Sequence, residues 1–407
     1  MSQYQVIFSF LLTTILGCTL HAQSTPERSL LALSKKDQTL AIVDPSRLKV
    51  LARIPVGNDP HEVIASSDGK TAYVSNYGFG AYNTLAVIDL AGKKALPAID
   101  LGPLRGPHGL AFIGEKVWFT AEAAKAIGSY DPKSGKVDWI LGTGQDRTHM
   151  IWLTDDEKRI VTTNVTSGSV SIIDKIPPRM PGAPVGGANN PPPRPTPPGG
   201  DWEQTVVKIG NGSEGFDVSP SGQEIWVANA QDGTISIINL ASKTVTDTIA
   251  ANVPGANRLK FTPDGSRVLV SSLRGGDLTI FDPSSRKEIK RLKLGHGTAG
   301  ILIEPNGERA FVACSPDNYV AVIDLKSLRT LGTSMWAKTR TVWHGPLCIE
   351  ATVGRGGTGC MGASEHAWYP ANKLDACALP LHRPPAANDE CCRLSPQSSS
   401  SKVFSSR

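Results

Sequence analysis

A unit of about 43 residues recurs along this 407-residue chain, and it limits the possible folds more than any other feature. Each unit contains a short apolar run that ends in Asp or Asn. The seven runs span residues 40–44, 85–89, 127–131, 170–174, 235–239, 278–282 and 320–324, and their ends are 45, 42, 43, 65, 43 and 42 positions apart. Such a period is typical of blades of four antiparallel strands arranged in a ring. The spacing predicts an all-β, seven-bladed β-propeller of four-stranded blades, with an insertion in the one long interval.

The second unit shows how four strands fit into one repeat. Residues 61–65, 72–76, 84–90 and 95–101 form short runs that are separated by turn residues. The first of these turns contains Gly69, which supplies the positive φ that a tight hairpin needs. Short strands with frequent turns leave little room for helices.

The second unit also carries a family resemblance. Residues 66–76 read Ser-Ser-Asp-Gly-Lys-Thr-Ala-Tyr-Val-Ser-Asn, and a Val-Ile-Asp strand follows them. This motif resembles the YVTN-type β-propeller repeat proteins of bacteria and archaea, and the resemblance extends over residues 30–334. It implies a seven-bladed propeller in an exported protein. It implies much less about chemistry, because propellers serve as binding scaffolds and as several unrelated enzymes.

The first unit lacks an inner strand of its own. Residues 30–34 match the second strand of a blade, so a closed ring must bring the inner strand from the C-terminal end. Residues 336–345 follow the last repeat and do not resemble a strand. We therefore expect a propeller over residues 23–334, a first blade without its inner strand, and an irregular tail over residues 335–407.

A shifted reading frame would account for this tail. With one choice of codons, reading residues 336–345 from the last base of the first codon gives Gly-Lys-Asp-Pro-Asp-Gly-Met-Ala-Trp, which matches the missing inner strand. The hypothesis treats the residues after about position 334 as out-of-frame translation. The alternative is a genuine Cys-rich extension, but its five cysteines include no Cys-x-x-Cys pair, which argues against a structural zinc site.

The N-terminus predicts export. Residues 6–20 are uncharged and largely apolar, and Leu20-His21-Ala22 precedes a polar stretch, so residues 1–22 are expected to be a signal peptide. The expected location is periplasmic or extracellular. An alternative is a lipoprotein anchored at Cys18, although Leu16 fits the lipidation motif poorly. No second apolar run is long enough to predict a membrane span.

An insert rich in Pro and Gly occupies residues 176–200, between the third and outer strands of the fourth unit. Such a run cannot pair in a sheet, so we expect a loop on the face opposite the loops that enter the inner strands. A Pro-x-x-Pro docking role and a tolerated surface insertion both remain open.

The start of each inner strand faces the central channel and is therefore a candidate site. The aligned positions are His61, His108, His149, Glu214, Asn257 and Ala299. Three imidazoles on neighbouring blades, His61, His108 and His149, offer a candidate site for Cu, Zn or Fe. A His in a repeat motif also commonly caps a junction without binding any ligand.

Two functional classes follow from these positions. The first is an exported, non-catalytic scaffold that binds a small molecule or a cell-envelope or protein partner at the channel mouth, with no cofactor. The second is an enzyme: a metal-dependent oxidoreductase on the three His residues, or a lactonase-like hydrolase that uses Glu62, Glu214 and Arg258 as acid, base or oxyanion partners. Gly-x-Ser-x-Gly and His-Glu-x-x-His motifs are absent from the sequence, and the scaffold is our first expectation.

Charge argues against a nucleic-acid partner. The chain has 42 basic and 37 acidic residues, a small surplus rather than a dense basic face. A basic cluster at residues 287–293 falls on an outer strand, where charge discourages strand addition. We expect a monomer with no nucleic-acid ligand.

Overall fold

The computed structural model describes residues 28–176 and 201–332, together with the backbone of a strand at Leu347–Gly354. Several sequence predictions lie outside these residues. They concern the signal peptide 1–22 with Cys18, almost all of the insert 176–200, the segment 336–345, and the tail apart from this strand.

Strands make up nearly all of the described regular structure. The first fourteen are β1 (Arg28–Ser34), β2 (Thr39–Asp44), β3 (Lys49–Pro55), β4 (Pro60–Ala65), β5 (Thr71–Asn76), β6 (Thr84–Asp89), β7 (Lys94–Asp100), β8 (Pro107–Ile113), β9 (Lys116–Ala121), β10 (Ala126–Asp131), β11 (Lys136–Gly142), β12 (Thr148–Leu153), β13 (Arg159–Asn164) and β14 (Ser169–Ile176). The others are β15 (Asp201–Lys208), β16 (Ser213–Val218), β17 (Glu224–Asn229), β18 (Thr234–Asn239), β19 (Thr244–Ile249), β20 (Ala256–Phe261), β21 (Val268–Ser272), β22 (Asp277–Asp282), β23 (Lys287–Lys293), β24 (Thr298–Ile303), β25 (Arg309–Cys314), β26 (Tyr319–Asp324), β27 (Arg329–Gly332) and β28 (Leu347–Gly354).

These strands form seven antiparallel sheets of four strands each, which confirms the predicted all-β propeller. Blades 2 to 7 each consist of four consecutive strands, from β4–β7 to β24–β27. The helical elements of the described residues are two 3₁₀ turns, Gly78–Gly80 and Ser315–Asp317, and no helix there is long and apolar enough to cross a membrane.

The first blade closes the ring. The N-terminal segment supplies three strands, β1 to β3, as expected, and β28 pairs with β1 from Arg28↔Gly354 to Ser34↔Leu347. The inner position, which we expected to be missing, is therefore occupied by a strand from the tail. The free edge of β1 carries unpaired backbone groups that an extended segment satisfies. The sequence of β28 contains the β-branched residues Ile349, Thr352 and Val353, but it lies farther from the last repeat than the motif we sought.

Apolar side chains between neighbouring blades form the core. Leu30 of the first blade and Phe311 of the last are both fully buried in one such cluster, and the rings of Tyr73 and Phe112 stack between blades 2 and 3 at 6.1 Å. Each buried Leu or Phe contributes about 1.5–3 kcal/mol relative to an exposed one. This packing holds the inner strands at fixed positions around the channel.

The insert leaves the sheet where the sequence predicted. β14 and β15 pair up to Ile176↔Asp201, so residues 177–200 connect the third and outer strands of blade 4. In an antiparallel blade this connection starts on the face opposite the starts of the inner strands. The insert and the candidate site are thus attached to different faces of the propeller.

Candidate functional site

The predicted site residues occupy the same place in each blade. His61, His108, His149, Glu214 and Asn257 are each the second residue of an inner strand, and every one is at least 92% buried. The register of each inner strand is interrupted at this point, as between Pro60 and Val63 in β4. Such β-bulges commonly re-aim side chains next to functional sites. Ala299, the equivalent residue of blade 7, is buried but apolar.

In blades 2, 3, 4 and 6 a hydroxyl group on the second strand accepts a hydrogen bond from an N–H of the bulge. In blade 3 the Thr120 hydroxyl accepts a hydrogen bond from the Gly109 N–H at 2.9 Å and donates to the His149 carbonyl of the next blade at 2.7 Å. Thr163 makes the same connection between Met150 and Glu214. One bulge N–H in each of these four blades is thereby satisfied, and the inner strands of blades 3, 4 and 5 are tied to one another at the mouth.

Gly109 permits the close approach of blades 3 and 4. A Cβ at this position would lie 2.5 Å from the His149 carbonyl oxygen and 2.8 Å from the Met150 Cα. Gly215 plays the same part beside Asn257 and Arg258. Glycine at these positions therefore allows the side chains of neighbouring inner strands to touch.

The three histidine rings lie in a row and are tilted against one another. The ring centroids of His61 and His108 are 4.3 Å apart at an interplanar angle of 56°, and those of His108 and His149 are 3.8 Å apart at 37°. Tyr77 covers this row edge-on, with its ring 4.7 Å from His61 and 5.1 Å from His108. The Nδ1 atom of His108 is buried without a hydrogen-bond partner in the described residues, and the Glu62 carboxylate lies 4.0 Å away.

His149 lies between two carboxylates. Its Nδ1 is 2.5 Å from Glu122 Oε1, and its Nε2 is 2.8 Å from Glu214 Oε2 in an ion pair that lacks hydrogen-bond alignment. Burial opposes the charged ring, but the two carboxylates outweigh it and raise the pKa of His149. The pKa of Glu214 is lowered to about 2: its burial opposes ionisation, while His149 and then Arg258 favour it more strongly.

Glu122 was not among the predicted site residues. Its other oxygen accepts a hydrogen bond from the Tyr77 hydroxyl and lies 3.4 Å from Arg147 Nε. Burial raises the pKa of Tyr77, and the neighbouring Glu122 charge raises it further. These contacts hold Glu122 in one orientation beside His149.

Glu122, Tyr77 and Lys35 share a position that the sequence does reveal. Each is the residue immediately after the second strand of its blade, following β9, β5 and β1 respectively. This position faces the mouth in blades 1 to 3. Aligning the repeats at the end of the second strand places these three residues at one equivalent position, although their residue types differ.

Lys35 is buried beside His61. Its Nζ lies 2.5 Å from His61 Nδ1 and 3.4 Å from Asp59 Oδ1. Burial lowers the pKa of Lys35 to about 8, although Asp59 opposes the shift. Burial and the adjacent Lys35 charge lower the pKa of His61 to about 3, so this ring is neutral.

Arg258 crosses the channel. Its Nη2 donates to Glu62 Oε1 at 2.7 Å, and its Nη1 lies 3.8 Å from Glu214 Oε2. Both Arg258 and Glu62 are 1% exposed. The pair joins blade 6 to blade 2, and the neighbouring Asn257 has a buried Oδ1 without a hydrogen-bond partner in the described residues.

The ionisable groups at the mouth nearly balance. The carboxylates are those of Asp59, Glu62, Glu122 and Glu214, and the cationic side chains are Lys35, Arg147 and Arg258. With neutral histidines this cluster holds one excess negative charge. Either a proton on His149 or a bound cation compensates it.

Three donor atoms at the mouth suit a metal ion. One ligand atom each from His108, Glu122 and His149 lies within 4.8 Å of the others, and all three residues are buried. This group contains Glu122 where the sequence suggested His61. His61 instead has the Lys35 ammonium beside its Nδ1.

Comparison with known proteins establishes the fold and no family. No family model matches the chain. A stretch of 85 residues is 35% identical to DDB1- and CUL4-associated factor 10 from Homo sapiens and from Mus musculus, but it covers 20% of this chain and 15% of those proteins. The resemblance to YVTN-type proteins stays a prediction.

Solved structures share the propeller fold at low identity. A protein of unknown function from Desulfotomaculum acetoxidans has a TM-score of 0.60 and 12% identity, with 79% of this chain and 98% of that chain covered. A candidate 6-phosphogluconolactonase from Bacteroides uniformis gives 0.59 and 14%, with 79% and 99% covered. The dihydro-heme d1 dehydrogenase NirN, in complex with DHE, gives 0.52 and 13%, with 77% and 74% covered.

Proposed function

We propose that this protein is an exported, non-catalytic scaffold that binds a small polar molecule at the channel mouth. The observation that carries the proposal is that two buried atoms at the mouth, His108 Nδ1 and Asn257 Oδ1, have no hydrogen-bond partner among the residues that the structure describes. Buried polar atoms are nearly always hydrogen-bonded, so atoms left over at a channel mouth mark where a ligand binds. They lie on blades 3 and 6, and both residues are 1% exposed.

The charge balance narrows the ligand class. The mouth holds four carboxylates and three cationic groups, and each cationic group already forms an ion pair with at least one of the carboxylates. A proton on His149 balances these charges, so a strongly anionic organic ligand would bring an uncompensated negative charge into a buried site, at a high cost in desolvation. The proposed organic ligand is therefore an uncharged molecule with hydroxyl or amide groups.

A binding screen on metal-free protein tests this proposal. Thermal shift followed by ligand-detected NMR would use a library of uncharged polyols, sugars and amides. A ligand present at a hundred times its Kd stabilises the folded state by about 2.7 kcal/mol. We expect stabilisation in the wild type and in His296→Ala, whose ring is exposed and distant in the chain, and its loss in Asn257→Ala and His108→Ala. Unaltered capture by both site variants would refute the proposal.

Export is a separate part of the proposal. It is supported by the apolar residues 6–20 and the processing sequence that ends at Ala22. N-terminal sequencing of protein from a cell-envelope fraction should give a chain that begins at Gln23. A mature protein that retains Met1 in the cytoplasmic fraction would contradict export, and a chain beginning at lipidated Cys18 would support the lipoprotein alternative.

A lactonase-like hydrolase is the second candidate, and the surroundings of His149 favour it. This ring contacts two carboxylates, and Arg258 lies 3.8 Å from one of them, so a proton donor and acceptor adjoin a cation suited to an oxyanion. The candidate 6-phosphogluconolactonase shares the fold over 79% of this chain. Hydrolysis of a sugar δ-lactone, followed by proton release, should then be lost in His149→Asn and retained in His296→Ala. Absence of turnover by the wild type would exclude this candidate.

A further inference from the structure

We infer that His108, Glu122 and His149 bind one divalent first-row transition-metal ion. Two imidazoles and a carboxylate form a donor set typical of zinc and iron sites with open positions. Their ligand atoms lie within 4.8 Å of one another, and the residues are 1%, 5% and 3% exposed. The inference rests on the proposed function in one respect: it assigns a metal ion as one ligand of the same channel mouth.

The required rearrangement is small. Donor atoms about 2.1 Å from an ion in a tetrahedral site lie about 3.4 Å from one another. Glu122 Oε1 and His149 Nδ1 are already 2.5 Å apart, so an ion that replaces the shared proton moves these atoms apart by roughly 1 Å. The centroid of the His108 ring is 3.8 Å from that of His149, and the buried Nδ1 of His108 has no hydrogen-bond partner in the described residues.

Neighbouring groups already orient two of the three ligands. The Tyr77 hydroxyl and Arg147 hold the second oxygen of Glu122, which leaves the first oxygen directed at His149. Glu214 lies 2.8 Å from the other nitrogen of His149. Metal-binding histidines almost always direct their second ring nitrogen at such a carboxylate.

Electrostatics favour a cation at this place and not at His61. Among the charged groups described above, the carboxylates outnumber the cationic side chains by one, so a divalent ion leaves a near-neutral cluster. The Lys35 ammonium lies 2.5 Å from His61 Nδ1, where it repels a second cation. The metal site therefore includes Glu122 and excludes His61.

Titration of the chelator-treated full-length protein with Zn²⁺ or Co²⁺ alone tests the assignment. Calorimetry should show one ion per chain, and bound Co²⁺ should give ligand-field absorption bands. We expect His108→Ala and Glu122→Gln to weaken binding more than about a hundredfold, and Tyr77→Phe, which removes an orienting hydrogen bond, to weaken it about ten- to a hundredfold. His296→Ala should bind as the wild type does.

The remaining outcomes separate the metal site from the proposed function. Glu122→Gln preserves shape, and circular dichroism confirms that each variant is folded before its affinity is interpreted. Wild-type protein that binds no ion, or affinity that Glu122→Gln leaves unchanged, would overturn the assignment. A larger loss in His61→Ala than in Glu122→Gln would also overturn it. The organic-ligand screen uses metal-free protein. A failure to bind metal and a failure to bind an organic ligand can therefore be told apart.

Discussion

The Arg258–Glu62 pair allows a direct test of how burial changes the contribution of an ion pair to the free energy of unfolding. Its Nη2–Oε1 distance is 2.7 Å and both residues are 1% exposed. Arg291 and Glu288 on the outer strand β23 are also 2.7 Å apart, but their side chains are 29% and 38% exposed. The two pairs match in distance and residue type and differ in burial, but Arg291 also donates to the Asn252 and Ala251 carbonyls at 3.0 and 3.1 Å.

The expected loss of stability in Arg258→Met follows from the two buried carboxylates that lose a neighbouring cation. Without the guanidinium, Glu62 loses its 2.7 Å partner and Glu214 loses a cation at 3.8 Å. Removing one member of a buried pair typically destabilises a protein by about 3–5 kcal/mol, because an uncompensated charge stays buried. The exposed pair is worth about 0–1 kcal/mol, and Arg291→Met also loses the bonds to the Asn252 and Ala251 carbonyls, so it should cost at most about 2 kcal/mol.

Urea unfolding at pH 7 measures both free energies of unfolding, and a cycle with Glu62→Gln tests the coupling. The double variant Glu62→Gln/Arg258→Met should be more stable than the sum of the single effects predicts, by at least about 1 kcal/mol. Part of the loss should persist, since Glu214 still lacks its cation. Equal costs for Arg258→Met and Arg291→Met, or additive single effects within the cycle, would refute the reasoning.

Three further predictions concern stability. Burial lowers the pKa of Lys35 in the folded protein to about 8, from an ordinary value of 10.5. Between these pH values the unfolded chain binds more protons, so the free energy of unfolding should rise with pH, by up to about 3 kcal/mol. Lys35→Met should lack this rise in urea unfolding at pH 8 and 10, and parallel pH profiles would contradict the burial of a charged amine. Gly109→Ala should cost about 1–3 kcal/mol, because its Cβ meets the backbone of the next blade, whereas Gly142→Ala, with nothing within 4 Å, should be close to neutral. Equal melting temperatures for the two glycine variants would show that the blades do not approach so closely. A chain shortened before Leu347–Gly354 should lose several kcal/mol, since β1 loses a seven-residue ladder and exposes an edge, at about 0.5–1.5 kcal/mol per hydrogen bond. Thermal melting with light scattering measures this, and an unchanged melting temperature would mean that the strand does not close the ring.

The repeat pattern was sufficient to predict the ring because each blade repeats the same arrangement of strands and buried apolar residues. The apolar run ending in Asp or Asn is the third strand, and it pairs with the second strand in the same register in every blade. The closing strand β28 was not predicted, because it resembles no repeat. A free strand edge accepts any extended segment of suitable length, so the need for a partner was predictable and its sequence was not.

The inner-strand half of the site was predictable for the same reason. His61, His108, His149 and Glu214 occupy one position in a bulge, and the bulge directs each side chain towards the mouth. Glu122 was missed because its position, after the second strand, differs in residue type between blades. A repeat alignment ranks such a variable position low, although variation among otherwise equal blades is what makes one side of a ring chemically distinct.

The two positions per blade explain why the chemistry is concentrated on one side of the channel. After the second strand, blades 1 to 3 carry Lys35, Tyr77 and Glu122, whereas the residues in blades 4 to 7 are Val165, Ala230, Leu273 and Ser315. Blade 7 also has Ala299 at the inner-strand position. Arg258 reaches from the opposite side towards Glu62, so the charged groups of distant blades meet around the three histidine rings. We therefore expect the proposed metal ion to bind off the ring axis, against blades 3 and 4, beside the ion pair that joins blades 2 and 6.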